Sequence, residues 1–235
     1  MKILSLDTSG SVASVAVLDE GTVLGEYSIN HKKTHSQKLM PMLKELLRNL
    51  ELNPVDIDIF AVSTGPGSFT GIRIGIAAVK GMAQSLDKPV VGVSSLEGLA
   101  YNVSAFPGQI CPIIDARNDN VYTAVYSFNN DSTGIKRITD YMAAHINDVL
   151  ETLISKDQTI FLGDGVFKFR NIISEKLGNK AVFSASHLLL QKAGSVGLAA
   201  YGKVLSGQID SYINVVPLYL RVSQAERLYK DNCNI

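Results

Sequence analysis

The sequence has no tryptophan, only two cysteines and no surplus of either charge. Each shortage excludes something. Cys111 and Cys233 lie far apart and make no CxxC pair, so neither a disulfide framework nor a cysteine-ligated zinc site is expected. Cys111, inside the apolar stretch 110–114, reads as a small core residue. The 22 basic and 22 acidic residues cancel, and no long run of Lys or Arg offers a stripe for nucleic acid. A neutral chain acting on RNA is expected to reach it through a partner. No apolar run is long enough for a membrane helix, and the stretch from Met1 to Asp7 has no signal-like core. The expected location is the cytoplasm, without membrane contact. HExxH and GxSxG are also missing, which leaves zinc-peptidase and α/β-hydrolase readings without an anchor.

What is present is an ordinary globular balance, 46% hydrophobic and 19% charged over 235 residues, enough for one large or two modest domains. Residues 3–7, 14–18 and 23–29 read as three strands joined by short polar turns, an antiparallel meander. Ser36 reads as the cap of a helix to Glu51, with Leu39, Met40, Leu43, Leu46, Leu47 and Leu50 at helical spacing. A strand at 57–63 leads into the glycine-rich loop 64–71 and a helix from Ile72 to about Leu86. A strand at 89–93 and a helix from Ser94 or Ser95 to Asn102 complete the first half. The second half opens at Pro107 with strands at 109–115 and 121–128 around the turn 116–120. A helix at 143–154, a strand at 159–162 and helices at 166–177 and 195–206 follow, then a tail at 214–232. Both halves begin with antiparallel strands and pass into alternating strands and helices, which predicts an α/β protein of two related lobes. The first lobe is expected at 1–103 with a returning helix at about 191–206, and the second at 104–235.

Several residues carry two readings. Gly65, Gly67 and Gly71 precede a helix N-terminus, where free amides can cradle phosphate. No Lys follows the last glycine as in a Walker loop, and the same glycines suit a tight turn with close helix packing. Asp7 closes the first strand, where a carboxylate can serve a metal–nucleotide site or simply cap its own turn. His31 and His35 stand four apart but bracket two lysines and have no carboxylate with ligand spacing, which favours a solvated or capping role. Asp115 and Arg117 can form an ion pair or a structural turn. Glu97 is a lone carboxylate and cannot do paired acid–base work.

The two N-terminal helices are unusually apolar. Leu39, Leu43, Leu46, Leu47 and Leu50 on the first, with Ile72, Ile76, Val79 and Met82 on the second, are read as a face too hydrophobic for water and covered by a partner, as in a four-helix bundle.

Five segments together resemble one family. They are Asp7-Thr8-Ser9, the His35–Pro41 stretch, the Gly65–Gly75 block, Asp115-Ala116-Arg117 with Val121-Tyr122, and Pro217-x-Tyr219-Leu220-Arg221. The pattern is similar to the TsaB (YeaZ) family over about residues 1–226, loosely at 130–190, with Asn120 where many members carry Glu. The resemblance implies an actin-like, Hsp70-like ATPase (ASKHA) fold and a homodimer when alone. It implies a catalytic paralogue, TsaD, and an ATPase, TsaE, as partners in attaching threonylcarbamoyl to adenosine 37 of tRNAs that read codons starting with A. The paralogue holds a metal through a His-His-Met-Glu-Gly-His stretch. Here 94–99 reads Ser-Ser-Leu-Glu-Gly-Leu, which puts Ser95 and Leu99 at the ligand positions. Leucine has no lone pair, so the expectation is a subunit with no metal, no cofactor and no catalytic residue. The alternatives are an independent actin-like small-molecule kinase using Asp7 and the Gly65 loop, and a glycoprotease-like peptidase.

Overall fold

The expected meander forms from β1 (Lys2–Asp7), β2 (Ala13–Asp19) and β3 (Thr22–Ile29). It belongs to a computed structural model that describes residues 1–31, 35–129, 134–154 and 158–221. After α1 (His35–Asn49) the chain returns as β4 (Ile59–Gly65), parallel to β1, then passes through α2 (Phe69–Leu86) to β5 (Val90–Ser94). The sheet order is β3-β2-β1-β4-β5. A short α3 (Ser95–Tyr101), capped by the Ser94 hydroxyl, leads to the second lobe.

That lobe repeats the plan with β6 (Gln109–Asp115), β7 (Asn120–Thr123), β8 (Tyr126–Asn129), β9 (Gly134–Arg137) and β10 (Met142–His145). After them come α4 (Ile146–Leu153), β11 (Thr159–Leu162), α5 (Gly165–Leu177) and β12 (Ala181–Phe183). Its order is β10-β7-β6-β11-β12, with β8 against β6 and β9 against β8. Finally α6 (Ala193–Leu205) returns to the first lobe. Leu4, Leu6 and Val62 face α1 and α2, while Ile3, Ala61 and Val93 face α6. Strands covered on both sides are largely apolar, which is why β1 and β2 read as hydrophobic runs, and their buried Ser5 and Ser14 hydroxyls are satisfied by the Ala193 backbone of α6. A strand that opens each lobe, an antiparallel hairpin beside it and parallel strands added through helices make this the actin-like, Hsp70-like ATPase fold.

Several local expectations are corrected. The helix read from Ile72 begins at Phe69, because the Ser68 hydroxyl accepts the Gly71 N–H at 3.2 Å and starts the first turn inside the glycine loop. Ser36 lies within α1 rather than capping it. The strand read as 121–128 is two strands. At the break, Val125 turns its N–H to the Thr139 hydroxyl and its carbonyl to the Ile138 N–H. Met142–His145 is strand, not the start of a helix, because it pairs with β7, and His145 Nδ1 then caps α4. The tail assigned to the second lobe lies on the first. Asp210 exchanges backbone hydrogen bonds with Val90, and Val215 is buried in the core beside α2. The rest of that tail, with Cys233, falls outside the described residues.

The largest correction concerns the two apolar helices. Leu39, Leu43, Leu46, Leu47, Ile72, Ile76 and Val79 are each 5% exposed or less and fill the chain's own core against the first sheet. Leu50 and Met82 pack partly against the same cluster. The largely apolar α2 is accounted for by its contacts with the sheet, through β4, β1 and β5, and with α1. The outward side of α1 is instead Gln37, Lys44, Arg48 and Asn49, with one exposed large apolar residue, Met40 at 47%.

Candidate functional site

A cleft of about 520 Å³ separates the lobes. Ser9, Gly10, Gly67, Ser68, Phe69 and Thr70 line one wall, and Ile114, Asp115, Arg117, Tyr122 and Asp164 the other, with Arg221 between. The ends of β1 and β4 deliver the first wall, and the β6–β7 turn and the start of α5 the second.

Asp7 does not reach this cleft. It is 1% exposed, and its Oδ1 accepts the Ser9 N–H at 2.8 Å and the Ser9 hydroxyl at 2.7 Å, closing an Asx turn. Burial pushes its carboxyl up to about 6, against the pull of the hydrogen bonds from Ser9 and Ser63. Behind it Ser63 Oγ meets Ser95 Oγ at 2.7 Å, both side chains buried.

The glycine loop is packed onto the same turn. Gly65 and Gly67 have φ of 107° and 153°, which only glycine adopts readily. A Cβ on Gly67 would run into the Ser9 carbonyl oxygen, and one on Gly71 into that of Thr8. Ser68 N–H donates to the Ser9 carbonyl at 2.7 Å, and the Thr8 hydroxyl to the Gly71 carbonyl at 2.7 Å. The Ser68 amide thus welds the loop to the turn and the Gly71 amide is spent on the Ser68 hydroxyl, which favours the packing alternative among the two readings of these glycines.

Asp115 accepts the Arg117 N–H at 2.9 Å and faces Lys168 Nζ at 3.8 Å, and Lys168 also reaches Asp119 at 3.1 Å. Asp164 takes the Asp115 N–H at 3.0 Å, and burial raises its carboxyl. His35 Nε2 bonds the Gly10 carbonyl at 2.9 Å, so it braces the cleft wall and makes no pair with the exposed His31. Two features escaped the sequence reading. Glu97 is paired with Lys203 at 2.9 Å, although they are far apart in sequence. Phe69 and Tyr219 stack at 4.0 Å with Arg73 over the Phe69 ring at 4.5 Å, joining two segments that had been noted only separately.

The paralogue's metal positions can be tested directly. Ser95 is buried on Ser63, and Leu99 is 1% exposed in the core of the second lobe. Neither position offers an ion a charged or open donor, and among the described residues no group of three His, Cys, Asp or Glu could hold one. The residues do not fit that metal. Among the described residues, no helix is long and apolar enough to cross a membrane.

Comparison with known proteins agrees with this architecture. The family model described as TsaD: tRNA N6-adenosine threonylcarbamoyltransferase matches residues 22–229. A Bacillus subtilis protein, tRNA threonylcarbamoyladenosine biosynthesis protein TsaB, is 37% identical over 227 residues, 96% of each chain. Its Escherichia coli namesake is 36% identical over 137 residues, 57% of this chain and 58% of that one. Among solved structures, YeaZ from Pseudomonas aeruginosa has a TM-score of 0.77 at 28% identity, covering 93% of this chain and 99% of that chain. With identity sustained along almost the full length of a relative and the same two-lobed fold, the chain belongs to the TsaB (YeaZ) family, inside the wider group that the TsaD model describes.

Proposed function

We propose that the chain is a non-catalytic scaffold and activator in the formation of N6-threonylcarbamoyladenosine at position 37 of tRNAs reading codons that start with A. Membership of the TsaB family ties it to tRNA threonylcarbamoyladenosine biosynthesis. The observation that carries the non-catalytic part is Leu99, an apolar side chain sealed in a core at a position where the paralogue needs a metal ligand. An independent kinase would need Asp7 to face the cleft, and that carboxylate is closed beneath Ser9. A metallopeptidase would need a ligand set, and among the described residues no group of three His, Cys, Asp or Glu supplies one.

In this reading the partner is a TsaD-type catalytic subunit, with a TsaE-type ATPase joining the complex and tRNA reached through it. Alone, the chain pairs with a second copy. The docking surface is the outer side of α2, not the leucine face first suggested by the sequence. On α2, Ala77 and Gly81 are exposed, and nothing lies within 4 Å of a Cβ built on Gly81. Ile74, Ala78 and Met82 flank them, half-buried. Small residues let a partner helix come close, and half-covered apolar neighbours supply area, so a contact of about 800 Å² per side is within reach. The test is size-exclusion chromatography of the chain alone and with the TsaD-family protein of the same organism. Co-elution supports the scaffold reading. Two folded proteins that elute separately overturn it, as does turnover of ATP or peptide by the chain alone.

A further inference from the structure

The segment 210–221 runs from the far edge of the first sheet to the opposite wall of the cleft, and each step is fastened. Asp210 pairs with Val90 on the edge strand at 2.9 and 3.0 Å. Lys80 of α2 donates to the Ile213 carbonyl at 3.1 Å. Val215 is 3% exposed in the core. Leu218 N–H donates to the Thr64 carbonyl at 2.8 Å, at the end of β4. The Tyr219 ring lies flat on Phe69, interplanar angle 6°, and its hydroxyl accepts from Arg73 Nε at 2.9 Å. All these anchors belong to the first lobe. The last one does not: Arg221 Nη1 donates to the Ala116 carbonyl, in the second lobe's hairpin, at 2.8 Å.

The hairpin it grips is unusual. Arg117, Asn118 and Asp119 have φ of 63°, 49° and 55°, three consecutive non-glycine residues in the left-handed region. Such a turn keeps its shape only when its surroundings hold it. Lys168 holds it from the second lobe and Arg221 from the first. On the other side the lobes meet through α3 and α6, and the Asn102 amide donates to the carbonyls of Leu188 and Leu190. A rotation of the lobes about that contact would change the width of the cleft, which Arg221 lines. It therefore either breaks the Arg221 contact or pulls on Tyr219, which is stacked on the first turn of α2.

We infer that this strap is an interlobe latch: it sets the opening of the cleft and transmits that opening to the first turn of α2. Phe69 and Arg73 report the state of the cleft to the helix whose outer side is the proposed docking surface. The link to partner affinity rests on the proposed function, and the latch itself does not.

The test uses the full chain with Cys233→Ser and spin labels at Gln84→Cys and Glu175→Cys, exposed sites on opposite lobes. Cys111 is buried and stays unlabelled. Pulsed dipolar spectroscopy is expected to give one narrow distance for this parent, a broad or longer one for Arg221→Ala, and an intermediate width for Arg221→Lys, which keeps a donor. Hydrogen exchange is read on the same proteins. Amides 69–73 should exchange faster in Arg221→Ala, whose lost hydrogen bond is to Ala116 and not to this turn, and Tyr219→Ala should speed them too. An unchanged distance with unchanged exchange at 69–73, in variants whose melting shows them folded, overturns the latch. In a third measurement, binding of the TsaD-family partner to Arg221→Ala should weaken by about five-fold or more, the range of ordinary site-to-site coupling. Equal binding by parent and variant overturns the transmission. A partner that binds neither protein sinks the proposed function, while a lobe distance that still responds keeps the latch.

Discussion

Asp7 and Asp115 make the same turn in the two lobes. Each ends its lobe's first strand, and each Oδ1 accepts the N–H two residues on, at 2.8 Å to Ser9 and 2.9 Å to Arg117. Their settings differ. Asp115 is partly exposed and faces Lys168, whereas Asp7 is closed in by Ser9 and Ser63. One carboxylate is solvated and paired, and the other has hydroxyls and an amide to support it and, among the described residues, no salt-bridge partner. In this chain the first-lobe aspartate is a structural fastener of the β1–β2 turn.

That setting has a pH signature. Asp7 shifts from 3.8 to about 6 on folding, a difference of about two units or roughly 3 kcal/mol. Because the folded chain keeps a proton that the unfolded chain has released, this group's contribution to stability falls as pH rises from about 4 to about 6 and is level above. Asp7→Asn keeps an Oδ1 acceptor and cannot ionise. In urea unfolding its stability relative to wild type should climb between pH 4 and pH 7, by up to the same roughly 3 kcal/mol. A constant difference across that range would refute the burial argument.

Two glycines of α2 should respond oppositely to alanine. Gly71→Ala would force its Cβ into the Thr8 carbonyl oxygen, a backbone atom that cannot rotate away, so the loop must move and about 1–3 kcal/mol should be lost. Gly81 has open space around it, and alanine there should stabilise the helix by about 0.5–1 kcal/mol. Thermal melts of the two variants measure both signs. Equal losses would mean that neither site is understood.

How far the sequence could be read follows from which physics was local. The meander and the alternation of strands and helices are patterns of adjacent residues, and they stand in the structure as they read. The faces of α1 and α2 do not. Periodicity says that Leu46 and Val79 share apolar sides, but not whether sheet or partner lies opposite, and the sheet proved to be there. Strand pairing decided the rest: Met142–His145 has no clear alternation of its own and becomes strand only because β7 lies beside it. Beside the cleft, Asp7 and the glycine loop were legible as candidate site residues. Their mutual fastening was not, because the contacts between Ser9 and Ser68 span a long stretch of chain. Glu97 looked solitary for the same reason, its partner Lys203 lying on the returning helix.

The Glu97–Lys203 pair is half-buried, with side-chain exposures of 18% and 24%, and Lys203 also donates to the Gly92 carbonyl at 3.2 Å. Removing one partner leaves the other charge poorly solvated. Lys203→Met should cost about 1–3 kcal/mol, and Glu97→Gln with Lys203→Met together should recover part of that loss. A double-mutant cycle in urea gives the coupling directly. Additive losses would show that the pair is no more than a surface contact.

Core and docking side of the N-terminal helices are separable by arginine. Leu46 is 2% exposed among Leu43, Leu47 and the sheet, so Leu46→Arg buries a charge without a partner and should unfold the first lobe. Loss of partner binding in that variant would say nothing about docking. Ala77 projects outward from α2, so Ala77→Arg should melt within about 0.5 kcal/mol of wild type, as surface changes do. If the outer side of α2 is the contact, the same substitution places a large charged group at its centre and should weaken co-elution with the TsaD-family partner by at least ten-fold, about 1.4 kcal/mol. Gln37→Arg, on the polar outer side of α1, is the companion control and should change binding less. A well-folded Ala77→Arg that binds as wild type does would remove α2 from the interface and leave the partner to be sought elsewhere on the lobe.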